Sequence, residues 1–296
     1  MTIISIGEIL WDVIGEEEHL GGAPFNFAVH AARLGHELLF ISGVGDDARG
    51  RRTIERAGHL GIATSYIKTV PGFPTGIAEV EIDAAGQPDF HVLRPAAYDR
   101  VELAEVEMAA ISRRQPDWIY FGTLHQVSKP ARQLTERLID GNLGTRRFYD
   151  INLRPNGHTP DLVETLSGRA TVAKLNEQEA IVMARWFDLP DCAAERFCRR
   201  AASRFGWKAV AITRGAEGCV VLVGDDCYEA PGIPVEVVDT VGAGDAFAAA
   251  FLHGLDAGWG VRRIADFANQ MGAFVTSRPG ATPDGTLDKV QPDGVE

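Results

Sequence analysis

The sequence predicts an α/β protein, a three-layer αβα sandwich built on a mostly parallel sheet, with a small β-sheet standing off it as a lid. Three observations carry this. Apolar, β-rich runs alternate with amphipathic stretches along most of the 296 residues, the pattern of a parallel sheet covered by helices on both faces. The alternation breaks early, where two alternating strands are joined by a short polar turn in a place that needs a crossover helix. After Thr213 the rhythm changes again, to a hairpin followed by two helices.

Taken in order, the apolar segment Thr2 to Ile9 reads as the first strand. Further strands are expected at Leu38 to Ser42, Trp118 to Gly122, Phe148 to Ile151, Thr171 to Leu175 and Ala209 to Thr213. Helices are expected between them at Asn26 to Leu34, Asp47 to Leu60, Glu102 to Ser112, Ala131 to Asp140, Glu177 to Trp186 and Ala193 to Phe205. Cys219 to Val223 and Asp226 to Glu229 form a hairpin turned by Gly224-Asp225, and helices Gly244 to Ala257 and Arg262 to Thr276 follow. The early insertion pairs Gly76 to Ile82 with Asp89 to Arg94 across the turn at residues 83–87. With Trp11 to Leu20 it supplies the lid, about 11–20 and 73–97, inserted in a single domain spanning 1–296. Pro283 to Glu296 reads as a loose tail.

Composition excludes several function classes. Against 29 Lys and Arg stand 41 Asp and Glu, a formal charge of −12, and no basic run is longer than isolated pairs such as Arg51-Arg52, Arg113-Arg114 and Arg146-Arg147. A nucleic acid or an anionic membrane needs its phosphates neutralised, so neither is an expected partner. A hydrophobic fraction of 45% with 24% charged residues suits a large soluble core. The N-terminus lacks a basic flank and a cleavage site, so no signal peptide is expected, and no uncharged stretch is long enough to cross a bilayer. Cys192, Cys198, Cys219 and Cys227 show no C-x-x-C spacing, and the eight histidines are scattered; reduced thiols and a cytoplasmic setting follow, with no transition-metal site.

The stretch richest in chemistry is Val237-Val238-Asp239-Thr240-Val241-Gly242-Ala243-Gly244-Asp245-Ala246-Phe247, read as an apolar strand end, a glycine turn and a helix of small residues. Glycines at 242 and 244 leave backbone N–H groups open to phosphate oxygens, and the helix starting there adds its positive dipole end. Asp245 in the first helical turn is stabilised as a carboxylate and can accept a proton. Spacing alone also allows a tight turn with no ligand. Neither G-x-x-x-x-G-K-[ST] nor a G-x-G-x-x-G after the first strand is present, which removes the P-loop and dinucleotide-binding readings.

Asp239-Thr240-x-Gly242-Ala243-Gly244-Asp245-x-Phe247 closely resembles the C-terminal signature of the ribokinase-like (PfkB) carbohydrate kinases. Gly21-Gly22-Ala23-Pro24-x-Asn26-x-Ala28, with Arg33-Leu34-Gly35 and Gly43-Val44-Gly45-Asp46-Asp47-x-x-Gly50, is similar to its N-terminal signature. The blocks stand in the family's order, and the insertion falls where that family carries its lid. The resemblance implies ATP-dependent phosphoryl transfer to a sugar hydroxyl, with Asp245 as general base and the N–H groups of Gly242, Ala243 and Gly244 as anion hole. A loose phosphoryl-transfer transition state needs positioning and charge neutralisation, and these groups supply both.

The same resemblance implies a sugar held by Asp12, Gly22 and Asn26, with Asn152 and Arg154 of Asp150-Ile151-Asn152-Leu153-Arg154-Pro155. It implies nucleotide contacts at Lys174, Asn176, Thr213, Gly215, Gly218, Gly244 and Asn269. It also implies Mg²⁺ organised indirectly by Asn176 and Glu179, and a K⁺ site near Asp239, Val241 and Gly280. Read without it, Asp12 is a strand-end residue, Asn26 a helix cap, Arg154 a surface arginine and Asn176-x-x-Glu179 an ordinary capping box. Glu8-x-x-x-Asp12, Pro24-x-Asn26 and the Asp-x-Asn-x-Arg block look most like fructokinases, which implies fructose 6-phosphate as product. A 2-keto-3-deoxygluconate kinase, another sugar or nucleoside kinase, or a non-catalytic sugar-binding protein are the alternatives. Pairing of lids in a homodimer is expected from the exposed sheet edge.

Overall fold

The computed structural model describes residues 1–82, 88–155, 157–189 and 193–285, so the hairpin turn, Cys192 and all but the start of the expected tail lie outside the described residues. Two compact units make up the chain, one of residues 1–32, 36–145 and 153–159, the other of 33–35, 146–152 and 160–296.

The first unit contains β1 (Thr2–Ile6), β2 (Leu10–Ile14), β3 (Glu17–Gly21), α1 (Ala23–Arg33), β4 (Glu37–Val44), α2 (Ala48–His59), β5 (Ile67–Thr69), β6 (Gly76–Ile82), β7 (Pro88–Val92), α3 (Glu105–Arg113), β8 (Trp118–Gly122), α4 (Thr123–Gln126) and α5 (Lys129–Asp140). Strands β8-β1-β4-β5 are parallel in that order. Ile3, Ile4 and Ile6 of β1 are fully buried, as suits a strand covered on both faces. Tyr120 of β8 stacks on Phe27 of α1.

The expected small sheet is present, in the order β3-β2-β6-β7. Its register sets Asp12 opposite His19 on one side and Ala78 on the other. Trp11 ties it to α2, donating from its indole nitrogen to Thr53 Oγ1 at 2.9 Å while Arg52 lies over the ring. The first strand ends at Ile6, earlier than expected, because Gly7 and Glu8 form the bend from which β2 departs into this second sheet.

The second unit contains β9 (Arg146–Asp150), α6 (Pro160–Arg169), β10 (Val172–Asn176), α7 (Glu177–Trp186), α8 (Ala194–Phe205), β11 (Ala209–Thr213), β12 (Cys219–Val223), β13 (Asp226–Ala230), α9 (Ala243–Asp256) and α10 (Val261–Thr276). Strands β9, β10 and β11 are parallel, and β12 and β13 continue the sheet antiparallel. The sequence reading missed α6, which begins at Pro160 in the stretch between β9 and β10, and it misassigned Val237 and Val238. That segment is an extended loop rather than a strand end: both valines are exposed, and residues 238 and 239 donate to the Thr276 carbonyl at the end of α10.

Candidate active site

In the second unit the glycine turn takes the conformation its sequence requires. Gly242 is the N-cap of α9 with φ +79°, and a Cβ there would lie 2.6 Å from Ala281, so no other residue fits without strain. The amides of Gly242 and Gly244 donate to no backbone carbonyl among the described residues, and that of Ala243 makes a long 3.4 Å contact to Thr240. These are the orphan donors expected at a helix N-terminus. Asp245 follows in the first turn of α9, largely buried, with its own amide satisfied by the Gly242 carbonyl at 3.1 Å.

Beside the turn lies a buried lysine. A Cβ on Gly244 would sit 3.0 Å from Lys174 Nζ, so a glycine here lets the turn pass close over the ammonium group. Lys174 lies in the middle of β10 and pairs with Asp150 at the end of β9, at 3.2 and 3.3 Å to its two carboxylate oxygens. Burial alone would push the Lys174 pKa down; the carboxylates of Asp150, Glu179 and Asp245 outweigh it and hold the ammonium charged. A permanent cation therefore faces the same region as the open amides. The sequence reading had Lys174 as a nucleotide contact and missed its pairing with Asp150; a charged residue closing the apolar run Phe148-Tyr149-Asp150 was the available signal.

Asn176 and Glu179 form a reciprocal cap on α7. Asn176 Oδ1 accepts from the Glu179 amide at 2.8 Å, and Glu179 carboxylate accepts from the Asn176 amide at 2.7 Å. Asp239 bridges two loops, taking the Val241 amide at 2.9 Å on one oxygen and the Gly280 amide at 3.0 Å on the other. Among the described residues no group of three or more His, Cys, Asp or Glu is placed to hold a metal ion.

A cavity of about 850 Å³ opens at the start of α9, and Asn176, Thr213, Gly215, Gly218, Gly244 and Asn269 all line it. Its far walls are apolar, from Ile233, Val235 and Val237 on the long loop and Phe247 on α9. Gly218 has φ +94°, and a Cβ there would strike the backbone at Pro231. Asn269 clamps the same loop by donating to the Pro231 carbonyl at 2.9 Å. Six of the seven expected nucleotide contacts thus share one cavity, and Lys174 lies beside Gly244 at its edge.

In the first unit Asp12, Gly21 and Asn26 converge. A Cβ on Gly21 would lie 2.9 Å from Asp12 Oδ2 and 3.9 Å from both polar atoms of the Asn26 side chain. Gly22 has φ +110°, with Glu8 carbonyl oxygen 2.6 Å from where a Cβ would stand, and its own carbonyl accepts from the Asn26 amide at 2.9 Å. Glu8 is 3% exposed, and one of its carboxyl oxygens has no hydrogen-bond partner among the described residues. Burial pushes its pKa up to about 7, against the opposing charges of Arg154 and Arg94. Arg94 is itself held by Asp99 and by the Leu124 carbonyl. Arg154 is partly buried; in the other unit, Asn152 follows β9 with φ +37°, a conformation uncommon outside glycine.

A helix N-terminus with open amides, a carboxylate in its first turn, a buried cation beside it and a long cleft with one apolar end is the equipment of an enzyme that moves a phosphoryl group. The particular family follows from the sequence, which matches the pfkB family carbohydrate kinases over residues 5–287; the chain belongs to that family and is an ATP-dependent carbohydrate kinase. A sugar kinase of Pyrococcus horikoshii is 29% identical over 299 residues, covering 94% of this chain and 91% of that one. Its crystal structure superposes with a TM-score of 0.83 over 98% and 96% of the two chains at 26% identity, and its complex with ATP with 0.81 over 97% and 96% at 27%. A fructokinase of Escherichia coli is 28% identical over 296 residues, 93% of each chain. A ribokinase II structure from Escherichia coli shares the fold with a TM-score of 0.82 over 98% and 97% of the chains at 24% identity. The fold is therefore ribokinase-like.

Proposed function

We propose that this kinase transfers the γ-phosphoryl group of ATP to a hydroxyl of fructose, giving fructose 6-phosphate. The carrying observation is the turn Gly242–Asp245, where two open amides, the dipole of α9 and the charged Lys174 meet beside a carboxylate. Asp245 takes the proton from the attacking hydroxyl, and the amides of Gly242, Ala243 and Gly244 hold the developing charge. The triphosphate chain lies along Asn176, Thr213 and Gly244, and the base lies between Gly215, Gly218, Asn269 and the apolar loop. Asp12, Gly22, Asn26, Asn152 and Arg154 contact the sugar, whose hydroxyls match paired donors and acceptors.

Mg²⁺ would bind with the phosphates, its waters oriented by Asn176 and Glu179. It neutralises phosphate charge when bound. K⁺ occupies the loop junction that Asp239 ties together, with Val241 and Gly280; equal rates in Na⁺ and K⁺ buffers would count against it. Two copies pair through the small sheets, whose outer strands are β3 and β7, and the enzyme works in the cytoplasm, where Cys198, Cys219 and Cys227 stay as thiols. No helix among the described residues is long and apolar enough to cross a membrane. A second reading, an acidic acceptor such as 2-keto-3-deoxygluconate, is favoured by the arginine at 154.

The test is ATP consumption with Mg²⁺ and K⁺ across fructose, ribose, 2-keto-3-deoxygluconate, glucose, tagatose, adenosine and no acceptor. Turnover dependent on fructose supports the reading. Turnover confined to another acceptor replaces the substrate and keeps the mechanism.

A further inference from the structure

The segment Gly43-Val44-Gly45-Asp46-Asp47-x-x-Gly50 has no place in the phosphoryl-transfer site, yet its geometry is closely specified. Asp47 is the N-cap of α2, and its Oδ1 accepts from the Gly50 amide at 2.7 Å, the ordinary capping bond. The rest of the carboxylate reaches 28 residues along the chain. Oδ1 also accepts from Thr75 Oγ1 at 2.7 Å, and Oδ2 accepts from the Thr75 amide at 2.8 Å. Thr75 Oγ1 in turn accepts from the Gly45 amide at 3.0 Å, and Thr75 is only 2% exposed. Gly45 must be glycine for this, because a Cβ there would lie 2.6 Å from the Phe73 carbonyl and 2.7 Å from the Thr75 nitrogen. Burial works against the charge, but the bonds from Thr75 and Gly50 hold the Asp47 pKa below its ordinary value, so the knot carries a full carboxylate.

Thr75 is the residue immediately before β6. The knot therefore fixes where β6 starts, and β6 pairs in parallel with β2, Gly76 with Leu10, Ile77 with Trp11 and Ala78 with Asp12. Sliding a strand by one residue turns every side chain to the other face, and even a small displacement of β6 moves β2 with it. Asp12 sits three residues along this ladder from Thr75, next to Gly21 and Asn26. We infer that Asp47 is a positioning residue for the sugar acceptor: through Thr75 it pins β6, and through β6 it holds Asp12 against Gly21 and Asn26. This rests on the reading that Asp12 contacts the acceptor.

The test compares Asp47→Asn, Thr75→Val and Thr75→Ser with the wild-type enzyme, using the best acceptor of the panel above. Asparagine keeps the cap but cannot take both Thr75 donors along with the Gly50 amide. The expected result is a rise of about tenfold or more in acceptor KM for Asp47→Asn and Thr75→Val, with ATP KM nearly unchanged, and recovery in Thr75→Ser, which keeps the hydroxyl. Hydrogen exchange should quicken in β2 and β6 and stay unchanged in α9. Equal loss of acceptor and ATP affinity, an unchanged acceptor KM, or exchange unaltered in β2 and β6 would overturn the inference. Asp12→Ala separates the two claims: if it leaves acceptor KM unchanged, the acceptor reading itself fails, whatever Asp47→Asn does.

Discussion

Replacing Glu8 by Gln should flatten the acid side of the stability profile in a way the burial of Glu8 lets us size. The carboxyl has an ordinary value of 4.5 and a folded value of about 7, raised by burial against the partial relief of its own backbone bond, Arg154 and Arg94. Asp99 also acts on it and raises it further, and Tyr98, whose hydroxyl is buried without a partner among the described residues, feels the same charge. Because the folded protein binds this proton more tightly than the unfolded chain, protonated Glu8 contributes stability that is complete below pH 4.5 and is lost as pH rises through 7. Integrated from pH 5 to pH 8, the loss is about 2.5 kcal/mol. Gln keeps the shape and cannot ionise. Urea denaturation of both proteins at pH 5, 6, 7 and 8 isolates the effect, since the other titrating groups cancel in the difference. The variant should gain on the wild type by about 2.5 kcal/mol between pH 5 and pH 8. A constant difference across that range, or one that moves against the variant as pH rises, would show that Glu8 is ionised in the folded state throughout and refute the argument from burial.

Two other substitutions follow from the same geometry. Gly22→Ala combines a φ of +110° with a Cβ 2.6 Å from the Glu8 carbonyl, and denaturation should show a loss of about 2 kcal/mol or more with weakened acceptor binding. Lys174→Met removes the ammonium paired with the fully buried Asp150 and should cost about 3–5 kcal/mol, most of it recovered in the Lys174→Met, Asp150→Asn double variant. Additive losses in that cycle would argue against the pairing.

How much of this was legible in the sequence depended on how local the physics was. The turn at Gly242–Asp245 and the Asn176–Glu179 cap are made by neighbours in sequence, and both could be read directly, as could strands such as Trp118–Gly122 and Ala209–Thr213. Contacts between distant segments could not. Lys174 meets Asp150 across 24 residues and Asp47 meets Thr75 across 28; the charge that closes Phe148-Tyr149-Asp150 signals a buried partner without saying which, and nothing beside Asp47 points to Thr75. Val237 and Val238 misled for the opposite reason: their β-branched, apolar character suggests a strand, whereas the loop leaves both exposed. Asp12 and Asn26 were legible only through resemblance, because their convergence at Gly21 depends on β2 leaving the main sheet.

The central claim is that Asp245 accepts the proton of the attacking hydroxyl. Asp245→Asn preserves the size and the N-terminal placement on α9 while removing the base, so turnover with the acceptor and ATP is the direct measurement, with acceptor affinity determined in parallel. A fall in kcat of about 10²-fold or more, with acceptor binding largely retained, is the predicted result; undiminished turnover in a folded Asp245→Asn enzyme would contradict the account.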